Sequence, residues 1–408
     1  MEVLYPRCAG LDVHKKTVVA CVRWASGPRV RHEVRSFPTT TSGLFELRDW
    51  LEQEVCTHVA MESTGVYWKP VWHVLEGGFE LVLGNAQQMR NVPGRKSDVS
   101  DATWIADLLA HGLIRGSFVP ERPIQELRDL TRTRSQLLRE VTRHRQRIAK
   151  ALEDANVKLS TVVSDLLGAT GRSVLKALIA GQQDARRLLE LRHGGLKASA
   201  EEFSAALQGQ LTDHHRFLLK LHLDQIEFLE AGVQKLEQRL EALLAPFHRL
   251  VELLVTIPGV SETTARVVLA EVGADMSRFP SSAHLVSWAG LCPGSNQSAD
   301  KRGSTRLRSG NPWLRTALVQ AAWAATHAKK TPLYARYVRI RQRRGSKKAV
   351  VAVAASILTS IYFMLQREEE YGESSPSLPS PSTRQKKVRQ LVRKLEALGV
   401  SVEVKEAA

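Results

Sequence analysis

Four acidic residues are the side chains in this sequence best suited to chemistry on a phosphate: Asp12, Glu62, Asp98 and Asp101. Asp12 lies within an apolar segment, where an unpaired carboxylate is costly to bury. Carboxylate oxygens suit Mg²⁺ or Mn²⁺, and two such ions can stabilise the attacking and leaving oxygens of an in-line phosphoryl displacement. Taken singly, Glu62 also fits a charge at the end of a strand, and Asp98 and Asp101 fit the charged start and surface of a helix.

A serine in a basic, glycine-rich segment is a second candidate. Residues 289–315 read AGLCPGSNQSADKRGSTRLRSGNPWLR and lead into a helix predicted to begin near Asn311–Pro312. Within this segment Lys301 and Arg302 follow Ser298 closely. A serine hydroxyl becomes a nucleophile only when its proton is withdrawn, and nearby cations or a metal on a bound phosphate could do this. Three other serines would serve equally by position, and serines in loops are ordinarily turn residues: Ser295, Ser304 and Ser309.

Secondary-structure patterns place the acids in an α/β domain. The sequence predicts strands and helices in the order of the ribonuclease-H-like fold, a match that is an analogy at the level of the fold. The strands are predicted at 8–14, 17–24, 29–37, 57–63 and 78–83, and the helices at 43–54, 67–76 and 97–111. In that fold the first and fourth strands are neighbours and the last helix packs across them. The four acids would then converge, and a cation would offset their mutual repulsion.

Two long amphipathic segments follow this domain. Residues 120–155 carry an apolar stripe, and residues 201–244 carry another with near-heptad spacing from Phe217 to Leu243. The segment 156–200 between them is less regular. We expect an antiparallel helical arm, which is either a coiled-coil arm for oligomerisation or a plain spacer.

The last third of the sequence predicts a mostly α-helical domain with a turn that could bind phosphate. Residues 253–273 are two apolar segments around Pro258–Gly259–Val260, the pattern of a helix-hairpin-helix element. Such a turn directs backbone N–H groups at a phosphate, although the same pattern also describes a plain packing unit. The apolar stretch 349–365 is short for a membrane span and contains hydroxyl side chains, so we expect a buried helix. A Pro/Ser-rich linker at 374–382 and a basic tail follow.

The charge of the chain favours a polyanionic partner. Lys and Arg number 58 against 42 acids, a net charge of +16. Residues 301–348 hold 14 Lys and Arg and no acid, which favours nucleic acid, and they include four aromatic residues that could stack on bases or pack a core: Trp313, Trp323, Tyr334 and Tyr337. The four cysteines are scattered without a CxxC pair, and the amino terminus does not resemble a signal peptide. A reducing cytoplasm fits these features best.

Five motifs in order resemble the insertion-sequence family 110 transposases, the bridge-RNA-guided DNA recombinases. The motifs are GLDVHK (10–15), MESTGVYWKPV (61–71), KSDVSDATWIADLL (96–109), IPGV (257–260), and AGLCPGSNQSADKR with SGNPWLR (289–315). The resemblance implies a RuvC-like DEDD catalytic domain at 1–118, a helical coiled-coil arm at 119–245, a serine-bearing transposase domain at 246–372, and a linker and tail at 373–408.

Residue by residue, the resemblance assigns the family's four metal-binding acids to Asp12, Glu62, Asp98 and Asp101, and its catalytic serine to Ser298. It implies that the acids hold Mg²⁺ or Mn²⁺, that the serine forms a covalent phosphoserine with DNA, and that strand exchange follows. It also implies a structured guide RNA that pairs with donor and target DNA, and a tetramer of paired dimers. Two departures from the family are KSD in place of the usual KTD, and the acid of Ala299–Asp300 beside the serine.

We predict nucleic-acid contacts at eight residues: Lys15, Lys96, Gly259, Lys301, Arg302, Arg306, Arg308 and Arg315. The predicted partners are DNA and RNA in the bacterial cytoplasm, at the nucleoid when the protein acts, with no membrane. Two other functions stay open. One is a RuvC-like nuclease or junction resolvase that uses metal and water without the serine, and the other is a catalytically inactive nucleic-acid-binding protein.

Overall fold

The computed structural model describes residues 2–27, 29–63, 65–85, 89, 100–193, 197–294, 297–298, 301–302, 306–372 and 392. The predicted sites at Asp98 and Lys96, and the tail after residue 372 apart from residue 392, lie outside these ranges. The chain divides into two compact units, Met1–Pro120 and Glu121–Ala408. The finer division into four segments stays a prediction.

The first unit is a mixed sheet with helices on both faces. Its strands are β1 (Arg7–Val13), β2 (Thr17–Ser26), β3 (Arg29–Pro38), β4 (His58–Glu62) and β5 (Glu80–Gly84). Its helices are α1 (Thr41–Gln53), α2 (Trp68–Leu75) and α3 (Asp101–Ala110). The strand order is β3-β2-β1-β4-β5, with β1 antiparallel to β2 and parallel to β4. The first and fourth strands, β1 and β4, are neighbours in the sheet, so this prediction is confirmed.

Strand β1 is the centre of this unit because both of its faces are covered. Ala9, Leu11 and Val13 point into a core that also contains residues of α1 and α2. Cys8 points the other way, into a core formed largely by α3. Successive side chains of a strand face opposite sides, so Gly10 and Asp12 lie on the α3 side with Cys8.

The backbone of helix α3 packs so closely against β1 at Gly10 that there is no room for a side chain there. A Cβ atom on Gly10 would lie 2.3 Å from both the Ala102 carbonyl oxygen and the Ala106 backbone nitrogen. Gly10 is therefore required by the packing of a helix backbone against a strand. This contact fixes the start of α3 beside the end of β1 that carries Asp12.

Gly10→Ala is accordingly expected to destabilise the first unit by about 3 kcal/mol or more, since overpacking a core costs about 1–3 kcal/mol even where side chains can yield. The midpoint of urea unfolding, followed by circular dichroism, measures this. Gly116→Ala is the matched control, because its new Cβ would meet no atom closer than 3.8 Å. Equal, small effects of the two substitutions would contradict the packing argument.

The second unit is mostly helical. Its helices are α4 (Arg122–Asp154), α5 (Leu159–Val162), α6 (Ala169–Ile179), α7 (Ala185–Glu190), α8 (Ala200–Ala206), α9 (Asp213–Leu244), α10 (His248–Val255), α11 (Glu262–Val272), α12 (Ser282–Trp288), α13 (Pro312–Ala325), α14 (Pro332–Arg344) and α15 (Ser346–Arg367). Two-residue strands, β6 (Gln297–Ser298) and β7 (Lys301–Arg302), lie between α12 and α13.

The two long helices α4 and α9 pack as an antiparallel pair. Their direction follows from two contacts, His144 with His222 and Arg134 with Glu237. The predicted antiparallel arrangement is confirmed, whereas supercoiled coiled-coil geometry and a role in oligomerisation stay predictions.

The buried face of α9 differs from the predicted stripe. Phe217 and Leu221 are exposed, whereas Leu219 and Leu223 are buried. These two buried leucines belong to a core shared with the intervening segment, including α6. In the first half of α9 the buried positions are therefore two residues later than predicted, because they face the intervening segment.

Helices α10 and α11 flank the Pro258–Gly259 turn, so the predicted helix–turn–helix is present, while its role as a nucleic-acid-binding helix-hairpin-helix stays a prediction. Helix α15 follows later and contains the apolar stretch. Of the helices in the described ranges, α15 is long and apolar enough to cross a membrane, and 56% of its apolar window is buried inside the protein. It packs against α12, α13 and α14, as predicted for a buried helix.

Candidate active site

Asp12 and Glu62 lie level with each other on adjacent strands. Leu11 pairs with Met61 in the parallel register of β1 and β4, so the next residue of each strand brings the two acids side by side. The Asp12 side chain is 21% exposed, and Glu62 is half-buried at the end of β4. The sheet thus brings together two acids that are 50 residues apart in the sequence.

Asp101 joins this pair from the helix above. It is the first residue of α3, and Ala102 beside it packs on Gly10, two residues before Asp12 on the same face of β1. Burial raises the pKa of the Asp12 carboxyl above its ordinary value; the adjacent His14 lowers this pKa, and the negative charges of Asp101 and Glu62 raise it. Glu62 and Asp101 therefore lie near enough to Asp12 for their charges to act on its carboxyl group.

His14 is a neighbour of Asp12 that sequence analysis missed. Its Nε2 lies 3.1 Å from the Asp12 Oδ2. The signal was the Asp-x-His spacing, because residues two apart in an extended segment share a face. His14 is 60% exposed, so it can move away from the carboxylate or donate to it.

The donor set suits a hard divalent cation. Carboxylate oxygens are the ligands that Mg²⁺ prefers, and a divalent cation would offset both the burial of the Asp12 charge, which is the main cause of its raised pKa, and the smaller repulsion by Asp101 and Glu62. Asp12, Glu62 and Asp101 do not by themselves form such a site, since within the described ranges no three His, Cys, Asp or Glu side chains are grouped closely enough to hold a metal ion. Asp98, the fourth predicted ligand, lies outside those ranges.

A partly buried ion pair holds α3 on the sheet. The Arg23 guanidinium, only 3% exposed on β2, donates from Nε to the Asp107 Oδ1 over 2.8 Å. His32 of β3 places its Nε2 3.2 Å from the same oxygen. These contacts join α3 to two strands and thereby fix the helix that carries Asp101. They join residues far apart in the sequence, which no local pattern could indicate.

The glycine-rich segment around Ser298 contains a short β-hairpin, a feature that the sequence analysis did not predict. Ser298 of β6 pairs with Lys301 of β7. Below them the Gly294 N–H donates to the Arg306 carbonyl over 2.8 Å, and the Arg308 N–H donates to the Cys292 carbonyl over 3.2 Å. The structure describes the backbone of Ser298, Lys301 and Arg302 but not their side chains.

The base of this hairpin is tightly packed. A Cβ on Gly310 would lie 2.3 Å from the backbone nitrogen of Gly290, so the two glycines allow the chain ends to meet. Asn311 follows and caps α13, because its Oδ1 accepts hydrogen bonds from the Trp313 and Leu314 N–H groups. The predicted start of a helix at Asn311–Pro312 is confirmed.

The Asn311 side chain also contacts a buried carboxylate. Glu271 of α11 is fully buried, and its Oε2 accepts from the Asn311 Nδ2 over 2.5 Å. Arg132 donates to both Glu271 oxygens at 2.8 and 2.7 Å, and the Arg128 Nε lies 3.4 Å from Oε2. This cluster joins α4, α11 and the base of the serine hairpin. Sequence analysis did not identify it.

The residues predicted to contact nucleic acid differ in their exposure to solvent. Lys15 is exposed in the turn between β1 and β2, Arg306 and Arg308 are exposed on the hairpin, and Arg315 is half-buried in α13. Gly259 has a φ of +87°, and a Cβ there would lie 2.4 Å from the Ala321 carbonyl oxygen. Packing against α13 therefore accounts for this glycine, and its contact with a phosphate stays a prediction.

Comparison with known families agrees with this arrangement. The DEDD transposase model of the IS110 type matches residues 9–157, and the model described as Transposase IS116/IS110/IS902 family matches residues 251–339. Together they span more than half of the chain. The chain belongs to the IS110 family of transposases. The first match contains Asp12, Glu62 and Asp101, and the second contains Ser298 and Glu271.

Individual proteins are similar to this chain over shorter stretches. An insertion element IS110 uncharacterized 43.6 kDa protein of Streptomyces coelicolor is 33% identical over 35% of this chain and 35% of its own length. A pilin gene-inverting protein of Moraxella bovis is 32% identical over 30% of this chain and 39% of its own. A transposase for insertion sequence element IS1111A of Coxiella burnetii is 36% identical over 28% of this chain and 33% of its own. The chain thus matches between a third and two fifths of these relatives' lengths.

Proposed function

We propose that this protein is a DNA recombinase of an insertion sequence, which cleaves and rejoins DNA through a covalent serine intermediate. The position of Asp12 next to Glu62 at one end of the β1–β4 pair, with Asp101 near enough to act on the Asp12 charge, carries this proposal. It is the arrangement expected of a site for phosphoryl transfer, and it lies within the DEDD match. The pilin gene-inverting name of one relative agrees with DNA rearrangement.

The acids and the serine have separate roles in this proposal. Asp12, Glu62, Asp98 and Asp101 would hold Mg²⁺, or Mn²⁺ in its place, and the bound ion would stabilise charge on the scissile phosphate. The Ser298 hydroxyl attacks the phosphorus: an Oγ–P bond forms, a P–O bond to the deoxyribose breaks, and the leaving oxygen gains a proton as the serine loses one. A free hydroxyl of another strand then attacks the phosphoserine and releases the serine, so no phosphodiester bond is lost to water.

The assembly is also part of the proposal. A structured guide RNA would select donor and target DNA by base pairing, and paired dimers would form a tetramer in which the serine of one protomer serves the acids of another. The net charge of +16 and the 14 cations of residues 301–348 support binding of both nucleic acids.

Denaturing gel electrophoresis of the reaction products tests the proposal. Full-length protein is incubated with Mg²⁺, DNA of the element's junction and the transcript of its flank. We expect a covalent DNA–protein adduct with the wild type and with Ser309→Ala, the matched control in the same segment, and a complete loss of the adduct with Ser298→Ala.

Other results would select another function. Nicked DNA without an adduct from both wild type and Ser298→Ala would replace the proposal with a metal-only nuclease or junction resolvase, whose carboxylates lie in the first unit alone. Binding without cleavage, in the presence of the element's own RNA, would replace it with an inactive nucleic-acid-binding protein.

A further inference from the structure

Helix α4 carries a concentration of positive charge outside the basic run of residues 301–348. Its stretch from Thr131 to Lys150 contains seven Lys and Arg residues and a single acid, Glu140. Several of these cations are neutralised by other helices: Arg132 by the buried Glu271, Arg134 by Glu237. Arg145 pairs with Asp165, which lies between α5 and α6. The remaining cations of the stretch need another explanation.

Those remaining cations form a row on one face of the helix. They are spaced four, four and three residues apart, and all of them are exposed: Arg139, Arg143, Arg147 and Lys150. At a rise of about 1.5 Å per residue the row is about 16 Å long, and neighbouring side chains start about 5–6 Å apart. The row lies on the side opposite Ile148, which is fully buried.

Few acids oppose the row. Arg143 pairs with Glu140, a neighbour on the same helix. In the described part of the chain, Arg139, Arg147 and Lys150 make no salt bridge. Asp154, one turn beyond Lys150, is held by His215 over 3.0 Å. Four cations and one locally paired acid thus face outward, an arrangement unlike the mixed charges of an ordinary solvated helix face.

The row ends in a groove where α4 meets α13. The Arg139 guanidinium lies 4.8 Å from the centre of the Trp313 ring. The groove has a volume of about 330 Å³, and hydroxyl, amide and aromatic groups line it beside Arg139: Ser135, Thr142, Trp313, Thr316 and Gln320. Such groups donate hydrogen bonds to phosphate oxygens and contact sugars.

We propose that the outer face of α4 and this groove bind the phosphodiester backbone of a nucleic acid. Flexible Lys and Arg side chains that start about 5–6 Å apart can each reach a phosphate of the same strand, and each neutralised phosphate releases counterions. The arm is then a binding surface as well as a connection between domains. This inference goes beyond the proposed function, because it requires nucleic acid on the arm whether or not the chain cleaves DNA.

Two charge-matched variants of the full-length protein test the inference. The row variant is R139Q/R143Q/R147Q/K150Q. The control variant K220Q/K235Q/R239Q/R249Q removes four exposed positive charges from α9 and α10. Affinities for a 30-base-pair DNA duplex and for an RNA duplex of equal length are measured by fluorescence anisotropy over a range of NaCl concentrations. Circular dichroism verifies that both variants are folded.

We expect the row variant to make the negative slope of log K against log [NaCl] shallower by about 3 to 4, since each of the four phosphate contacts contributes about −0.9. Its affinity at moderate salt should fall at least about 30-fold, whereas the control should change the slope by less than about 1. A preferential loss on the DNA or on the RNA duplex identifies which backbone the row binds.

Equal losses in the two variants would show a general effect of net charge and would overturn the inference, as would an unchanged slope in the row variant. The outcome is separate from that of the proposed function. A chain whose binding depends on the row but which forms no adduct would support this inference and refute the serine mechanism. If the wild type forms the adduct but the row variant leaves the salt slope unchanged, the serine mechanism is supported and this inference is refuted.

Discussion

Asp12→Asn is expected to lower DNA cleavage by about 1000-fold or more while nucleic-acid binding stays near the wild-type level. Asparagine keeps the shape of the side chain but removes the charge that would hold a divalent cation beside Glu62 and Asp101. A 1000-fold loss corresponds to about 4 kcal/mol of transition-state stabilisation. Cleavage of labelled junction DNA at saturating protein measures the rate, and anisotropy measures the binding.

Asp12→Asn should lower activity but increase the stability of the folded protein when no metal is bound. The pKa of Asp12 is raised in the folded state, chiefly by burial and also by Asp101 and Glu62. Ionisation of Asp12 therefore destabilises the folded protein. The protein keeps its full stability below the ordinary carboxyl pKa and loses part of it as the pH rises through the raised pKa. Without metal, Asp12→Asn should be more stable than the wild type at pH 7, and the difference should vanish in acid. Mg²⁺ should raise the melting temperature of the wild type more than that of the variant.

Asp49→Asn on α1 is the matched control, since Asp49 is 53% exposed and pairs only with its neighbour Arg48 among the described residues. It should change neither cleavage nor the response to Mg²⁺. Cleavage by Asp12→Asn close to the wild-type rate would remove Asp12 from the proposed metal site.

Glu271→Gln is expected to destabilise the second unit by about 3–5 kcal/mol, the usual cost of removing one partner of a buried ion pair. Burial lowers the pKa of Arg128 to about 10, and the charge of Glu271 opposes this effect. Glutamine would leave Arg128 and Arg132 without that charge and would direct an amide N–H toward a guanidinium. The hydrogen bond that anchors Asn311, at the base of the serine hairpin, would weaken as well.

Urea unfolding measures this second effect as a shift in midpoint at constant slope. Glu262→Gln is the control on the same helix, because Glu262 is 60% exposed and pairs with Arg266 at the surface. Surface pairs contribute about 1 kcal/mol or less, so the two substitutions should differ clearly. A Glu271→Gln protein within about 1 kcal/mol of the wild type would show that the cluster does not hold the unit together.

Local pattern was sufficient for the first unit because its strands and helices are short apolar runs bounded by polar turns. Strand β1 was predicted at 8–14 and observed at 7–13, and β3 was predicted at 29–37 and observed at 29–38. The order of elements then placed Asp12 beside Glu62, which the parallel register of β1 and β4 supports.

Long-range contacts account for what the sequence did not reveal. Glu271 lies 139 residues from Arg132, and Asp107 lies 84 residues from Arg23, so no spacing rule connects them. The exposed Phe217 has a similar cause. Helix α9 offers two apolar stripes, and only its packing against the intervening segment selects the one that contains Leu219.

Mass spectrometry of the DNA–protein adduct, after nuclease digestion, is the most direct test of the central claim. The account predicts a nucleotide attached to Ser298 when Mg²⁺ is present, and no modified peptide from the Asp12→Asn protein. A nucleotide on Ser295, Ser304 or Ser309, or cleaved DNA that never becomes attached to the protein, would contradict it.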